Sequence, residues 1–215
     1  MTTKPSALAE VCRVLESDGT ARAARVLRET CVPGKVLVPS GGGMQKAARR
    51  PGRQSRCYSK TQKTQLFLRD GFLDRYSGEQ LVFPGALLLL SHLFPTDFPY
   101  DPHWPYDVCH SWYWEVYPTV DHVDSVGDDV ESNWVTTSMI RNVAKASASL
   151  EERGWTLMAE DQAARWDGLI HWFVRYMGAH PELKAQKALR EWFTSAQRAL
   201  GGAEPLLSPE VPRRP

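Results

Sequence analysis

The sequence predicts an α+β fold, with helices from both ends of the chain around a small strand-containing centre. Three observations carry this. Near the N-terminus Ala7, Leu8, Val11 and Leu15, then Ala23, Ala24 and Leu27, recur at helical spacing; near the C-terminus Trp166, Leu169, Ile170, Phe173 and Met177, then Leu189, Phe193, Ala196 and Leu200, do the same. That is the repeat of helices with one buried face. Between them, residues 112–123 are dense in aromatic and β-branched side chains, as a strand pair would be. Finally, 215 residues supply one substantial core with additions rather than several domains.

Taken in order, residues 1–32 read as a helical hairpin, broken at Asp18-Gly19 and stopped by Pro33-Gly34. Residues 33–65 mix basic side chains with Pro and Gly, a composition that disfavours a packed element. The core is expected over 66–158. It opens with Leu66–Phe72, and Gly85–Phe94 is a short buried helix, although periodicity alone does not separate it from a strand. Residues 95–106 are a loop rich in Pro and aromatics, and Gly127–Asn133 is polar and turn-like. Thr137 or Ser138 caps a helix that continues through Ala148. Two helices fill 159–200, the second opened by Pro181. The stretch 201–215, with four Pro, is a frayed tail.

Net charge is only +1, so affinity for a polyanion depends on where the charge lies. From Thr30 to Arg69 there is no Asp or Glu, while Lys35, Lys46, Arg49, Arg50, Arg53, Arg56, Lys60, Lys63 and Arg69 fall in the same stretch. Such a run is either a solvated tail or a phosphate-binding patch. Gly41-Gly42-Gly43 lacks the spacing of a P-loop. Cys12, Cys31, Cys57 and Cys109 form no CxxC pair and no secretory signal precedes them, which points to a reducing cytoplasm without a disulfide framework. The most apolar run, Leu81–Phe94, is interrupted by Pro84, Gly85, Ser91 and His92, and is too short to span a bilayer.

The informative string is Asp121-His122 at the end of a strand, then Gly127-Asp128-Asp129, then Asn133, then Asn142-Val143-Ala144-Lys145. Adjacent strand residues point to opposite faces, so one of Asp121 and His122 can hold a cation while the other faces a substrate. Asn142 and Lys145, three apart on a helix, share a face. Phosphodiester hydrolysis needs a base for water and a cation for the charge that develops on phosphate. His122 can be the base, and Asp121 and Asn142 are hard oxygen ligands suited to a magnesium-like ion.

The string resembles the HNH, or ββα-metal, nuclease superfamily, whose motif runs D-H, a polar loop to an Asn, and a helix bearing N-x-x-K. The step of nine residues from Asn133 to Asn142, with Lys145 beyond it, matches the HNH domains of RNA-guided effectors. The resemblance covers roughly residues 70–150. It implies a ββα-metal core flanked by terminal helices, with one divalent ion, Mg²⁺ or Mn²⁺, held by Asp121 and Asn142. His122 is then the general base, Asn133 braces the loop and orients it, and Lys145 touches the scissile or adjacent phosphate. Lys46, Arg49, Arg50, Arg53, Arg56, Lys60 and Lys63 would hold the nucleic-acid backbone. Glu115, six residues before Asp121, either approaches the metal from the same strand or is a solvated or salt-bridged glutamate.

The sequence departs from the family at several points. Asp74-Arg75-Tyr76-Ser77-Gly78 stands where many members carry a zinc-binding CxxC, so no structural zinc is expected. Apolar and aromatic residues around Phe83, Trp112, Trp114 and Trp134 are expected to replace it as the clamp. Asp124-Ser125 replaces a common Pro, and Val126-Gly127 a common Gly-Gly. His103, Cys109, His110 and Cys57 lack a zinc spacing and read as ordinary surface or core residues. The Trp-rich stretch 104–114 suits base stacking or core packing, with core packing favoured. The expected function is endonucleolytic hydrolysis of DNA. The alternatives are a non-catalytic nucleic-acid-binding module of the same shape and an RNA-cleaving toxin. The sequence leaves oligomeric state open, a homodimer among the choices.

Overall fold

The computed structural model describes residues 2–35, 58–105, 107–159 and 166–201. Lys46, Arg49, Arg50, Arg53 and Arg56 fall outside the described residues, as does the tail beyond 201. Eight α-helices and one two-stranded antiparallel sheet make up the regular structure of the described residues, an α+β fold.

Helix α1 (Lys4–Thr30) starts at Thr3, whose hydroxyl accepts from the Ser6 backbone N–H, and it is broken into two arms at Gly19. With φ 78° and ψ −179°, Gly19 adopts a conformation that side chains resist, which is why the helix breaks there. Helix α2 (Lys60–Arg69) opens on a capping box between Ser59 and Gln62. This local signal starts the helix inside the segment whose basic, Gly- and Pro-rich composition was expected to run irregularly to residue 65. Helix α3 (Pro84–Leu93) is almost wholly buried. Its Gly85 lets it seat closely, since a Cβ there would come within 2.5 Å of the Phe83 ring and 2.8 Å of the Phe173 ring.

Residues 112–123 are not a strand pair. Trp112–Val116 form a short helix, α4, and only Pro118–His122 is a strand, β1. Four of the five α4 side chains are buried, and β-propensity describes a fit to a half-covered pleated surface rather than to burial on all sides. The partner strand is β2 (Trp134–Ser138), paired so that Asp121 faces Val135 and His122 faces Trp134. Helix α5 (Met139–Lys145) follows at once, with Ser138 at its N-cap, and ends at Ala146 (φ 51°) rather than at Ala148. Next come α6 (Leu150–Arg153), α7 (Ile170–Ala179) and α8 (Lys187–Gly201). Pro181 opens a short 3₁₀ turn before α8 rather than α8 itself.

The core joins α1, α3, α7 and α8. Phe83 lies 5.3 Å from the Phe173 ring and 5.5 Å from Trp192. Helix α2 packs on both strands and on α8, and α5 packs on both strands and on α4. The sheet therefore packs against α2, α4 and α5.

The clamp at the outer edge of β2 is ionic, not aromatic, which corrects the expectation for Phe83, Trp112 and Trp114. Phe83 and Trp112 belong to the central core, and Trp114 is buried with its ring 5.3 Å from Trp104. The edge of β2 carries backbone groups that apolar rings could not satisfy. Asp70 accepts from the Thr136 N–H at 2.7 Å, and Asp74 from the Ser138 N–H at 2.8 Å and the Thr137 hydroxyl at 3.1 Å. The Arg75 N–H donates to Thr136 O at 2.9 Å, and Arg69 to Trp134 O at 2.6 Å. Arg75 also pairs with Asp70 at 2.9 Å and reaches Met158 O. The turn at 74–78, closed by the Leu73–Gln80 bridge, thus grips β2 through carboxylates.

Candidate active site

Strand alternation sends Asp121 and His122 to different surroundings. Asp121 Oδ2 accepts from the Tyr76 hydroxyl at 2.7 Å and pairs with Lys145 Nζ at 3.1 Å. Burial first, and then the Asp121 carboxylate, push the Tyr76 phenol well above its ordinary range, so it remains a donor. His122 Nε2 lies 2.8 Å from Asp129 Oδ1 and 3.1 Å from the Tyr58 hydroxyl. The same Asp129 oxygen accepts from the Tyr58 hydroxyl and, at 2.8 Å, from Trp134 Nε1.

Partial burial of Asp129 works to raise its carboxyl, but hydrogen bonds from Tyr58, His122 and Trp134 together outweigh it and hold the group below its usual value. A carboxylate only accepts, so the proton of a neutral His122 sits on Nε2. Nδ1 then carries the lone pair, and it has no partner among the described residues. Asp129→Asn is expected to mix the two imidazole tautomers, seen in ¹⁵N spectra of the histidine ring; a single Nε2–H tautomer in that variant would remove Asp129 from this role. Because the folded carboxyl is depressed, its contribution to stability is full above the unfolded value of about 3.9. The stability gap to Asp129→Asn should close as pH falls through the lower folded value.

Asn133 locks the loop that carries Asp129. Its Oδ1 accepts from the Asp124 N–H at 2.8 Å, its Nδ2 donates to Asp124 O at 2.9 Å and to Asp128 O at 3.0 Å, and its backbone O accepts from Val123 N–H at 3.0 Å.

Asn142 and Lys145 both turn from α5 onto β1. Asn142 Nδ2 donates to the Thr119 hydroxyl at 3.0 Å and to Val120 O at 3.3 Å. Lys145 is fully buried and its Nζ donates to His122 O at 2.7 Å. In this structure it ties Asp121 to the end of β1 rather than reaching toward solvent, which corrects its expected position on a phosphate.

Among the described residues no group of three or more His, Cys, Asp or Glu side chains converges as a metal cage. Asp121 Oδ1 and Asn142 Oδ1 are hard oxygens without protein partners among the described residues. Two such ligands completed by water suit a magnesium-like ion in kind, with Lys145 competing for the same carboxylate.

Glu115 is not part of this site. It lies on α4 and pairs with Lys4, which a helix in place of a continuous strand makes geometrically natural. Lys60 is engaged by Glu191 and stands 5.5 Å above the Trp192 ring, so its charge is already paired within the protein. His110 is buried, bonded to Cys31 O at 2.9 Å, and burial lowers its pKa; Cys109 bonds to Asp101 O. Beside β1 runs a cleft of about 460 Å³ along Pro118 to His122, lined also by Lys63, Tyr58 and aromatic side chains.

Sequence reasoning missed Tyr58, Tyr76 and Asp129. Asp129 stood in the quoted string, but only a loop folded by Asn133 shows where it points. Tyr76 stood where the missing cysteines drew attention. No protein-family model matches the chain, and neither does any curated protein or solved structure.

Proposed function

We propose that this chain is a metal-dependent endonuclease of the HNH, ββα-metal, class acting on nucleic acid, with DNA as the first substrate to test. The observation that supports this reading most is the meeting of motif residues from separate elements: Asn142 and Lys145 reach from α5 onto β1 while Asn133 braces the loop that aims Asp129 at His122. His122 Nδ1 takes a proton from water as that water attacks phosphorus; the bond from phosphorus to the departing sugar oxygen breaks, and that oxygen leaves with a proton taken up from solvent. Asp129 holds Nε2–H and stabilises the imidazolium that forms. Asn142 and Asp121 would hold a Mg²⁺ or Mn²⁺ ion, which when bound supplies charge neutralisation at the phosphate. Lys145 keeps the strand end and Asp121 in register. Lys63 lies at the cleft, and Lys46, Arg49, Arg50, Arg53 and Arg56 precede Tyr58 in the chain and supply sequence-independent backbone affinity.

A second reading, a nucleic-acid-binding module without catalysis, is favoured by one observation: the Lys145 amine already stands against Asp121. Incubating plasmid, linear duplex, single-stranded DNA and RNA with Mg²⁺ or Mn²⁺ separates the two. Cleavage that requires the metal and His122 supports the nuclease; retention of nucleic acid with no cleavage supports the module. Within the nuclease reading, Asn142→Ala is expected to raise the metal concentration for half-maximal rate by on the order of tenfold or more. Excess Mn²⁺ should restore part of the rate, and an unchanged metal requirement would exclude Asn142 as a ligand.

A further inference from the structure

The cleft beside His122 has walls that suit a nucleobase. It is about 460 Å³, the size of a pocket for a compact organic ligand, and Trp104, Tyr117 and Trp192 line it together with Lys63 and His122. Trp104 is half-buried and holds φ at 57°. A bulky side chain in the left-handed region is rare, and such strain concentrates at binding and catalytic positions. The indole meets Tyr117 at 4.9 Å and 85°, Trp114 at 5.3 Å and 79°, Tyr113 at 5.9 Å and 85°, and Tyr100 at 5.9 Å and 89°. Every one of these contacts is edge-to-face. Among the described residues no ring lies parallel to Trp104, and the indole is one wall of the cleft.

A base inside a duplex presents neither face to a side chain, because its neighbours in the stack cover both; only an unpaired nucleotide can enter such a cleft. Stacking on aromatic side chains with a basic group nearby is how single strands are held without sequence preference.

We propose that the cleft binds an unpaired nucleotide of a nucleic-acid strand, its base stacked on Trp104 and its phosphate toward Lys63 and His122. The consequence that this nucleotide is also where the strand is cut rests on the nuclease reading above. The substrate is then single-stranded nucleic acid, or a duplex at a bulge or flap, rather than continuous duplex.

The test measures binding by fluorescence anisotropy in EDTA, where nothing is cut, with a labelled DNA strand, the same sequence as RNA, a blunt duplex, and a duplex carrying an unpaired bulge. The wild type is expected to bind the strands and the bulge at least about tenfold more tightly than the blunt duplex. Trp104→Ala should lose on the order of tenfold in strand affinity, and Trp104→Phe, which keeps a stacking ring, should retain part of it. The wild-type comparison stands by itself if Trp104→Ala does not fold. Equal binding of blunt duplex and strand by the wild type, or an unchanged preference in folded Trp104→Ala, overturns the proposal. Adding Mg²⁺ then separates the two readings. Trp104-dependent strand binding with no cleavage of any substrate sinks the nuclease and leaves the cleft assignment standing. Cleavage of blunt duplex as fast as of strand, unaffected by Trp104→Ala, does the reverse.

Discussion

On the proposed nuclease reading, His122→Ala is expected to lower strand cleavage by about 10²–10⁴-fold, the usual worth of a general base, without changing the metal concentration at which the residual rate is half-maximal. The split follows from the two sides of β1. His122 is bonded to Asp129 and Tyr58, whereas the oxygens suited to a cation belong to Asp121 and Asn142. Removing the imidazole therefore takes away the proton acceptor and leaves the cation ligands in place. Titrating Mn²⁺ against the cleavage rate of both proteins checks this. A His122→Ala enzyme that cuts at the wild-type rate under saturating metal would show that another group takes the proton. Full rescue by excess Mn²⁺ would place His122 among the ligands instead. Asp129→Ala should fall between the wild type and His122→Ala, because the imidazole remains but loses the partner that sets its tautomer.

Asp70→Ala is expected to cost about 3–5 kcal/mol of stability, the cost of breaking a buried ion pair from one side. For a chain of this size that is a fall in Tm of roughly 6–20 °C. The Asp70 carboxylate has no exposed surface; it accepts from the Thr136 N–H at 2.7 Å and pairs with Arg75 at 2.9 Å and Arg69 at 3.0 Å. Alanine would remove the carboxylate from Arg75 and leave a strand N–H buried without an acceptor. Asp70→Asn keeps an acceptor for Thr136 and should cost less. Thermal unfolding of the two variants measures the difference, and an Asp70→Ala protein within about 1 kcal/mol of the wild type, well below the cost of breaking such a pair, would mean the edge of β2 is satisfied by other groups.

The helices near both ends were legible because each buries one face, and that leaves a 3.6-residue period in the sequence. The end of the first arm of α1 was legible for a different reason: Gly19 marks it by its own backbone freedom. The centre was legible only in part. The apolar and aromatic run through 112–123 contains a helix and a strand, and composition cannot separate them when nearly every side chain is covered. The second strand, Trp134–Ser138, is Thr-rich and short, and its burial comes from α2 and the turn at 74–78, both distant in sequence.

For the candidate site, the sequence by itself determined which residues are chemically able to act: Asp121 and His122 as strand neighbours facing opposite ways, Asn142 and Lys145 on one helical face, and Asn133 at loop spacing between them. These are relations of covalent geometry over a few residues, and they hold wherever the strand and helix form. Only the tertiary structure decided the partners. Tyr58 comes to His122 from 64 residues away and Tyr76 to Asp121 from 45. Glu115 is drawn off to Lys4, Lys60 to Glu191, and Lys145 inward onto Asp121. The physical reason is that a charged side chain takes the nearest opposite charge or hydrogen-bonding group once water is excluded, and which group is nearest depends on how the helices close around the sheet.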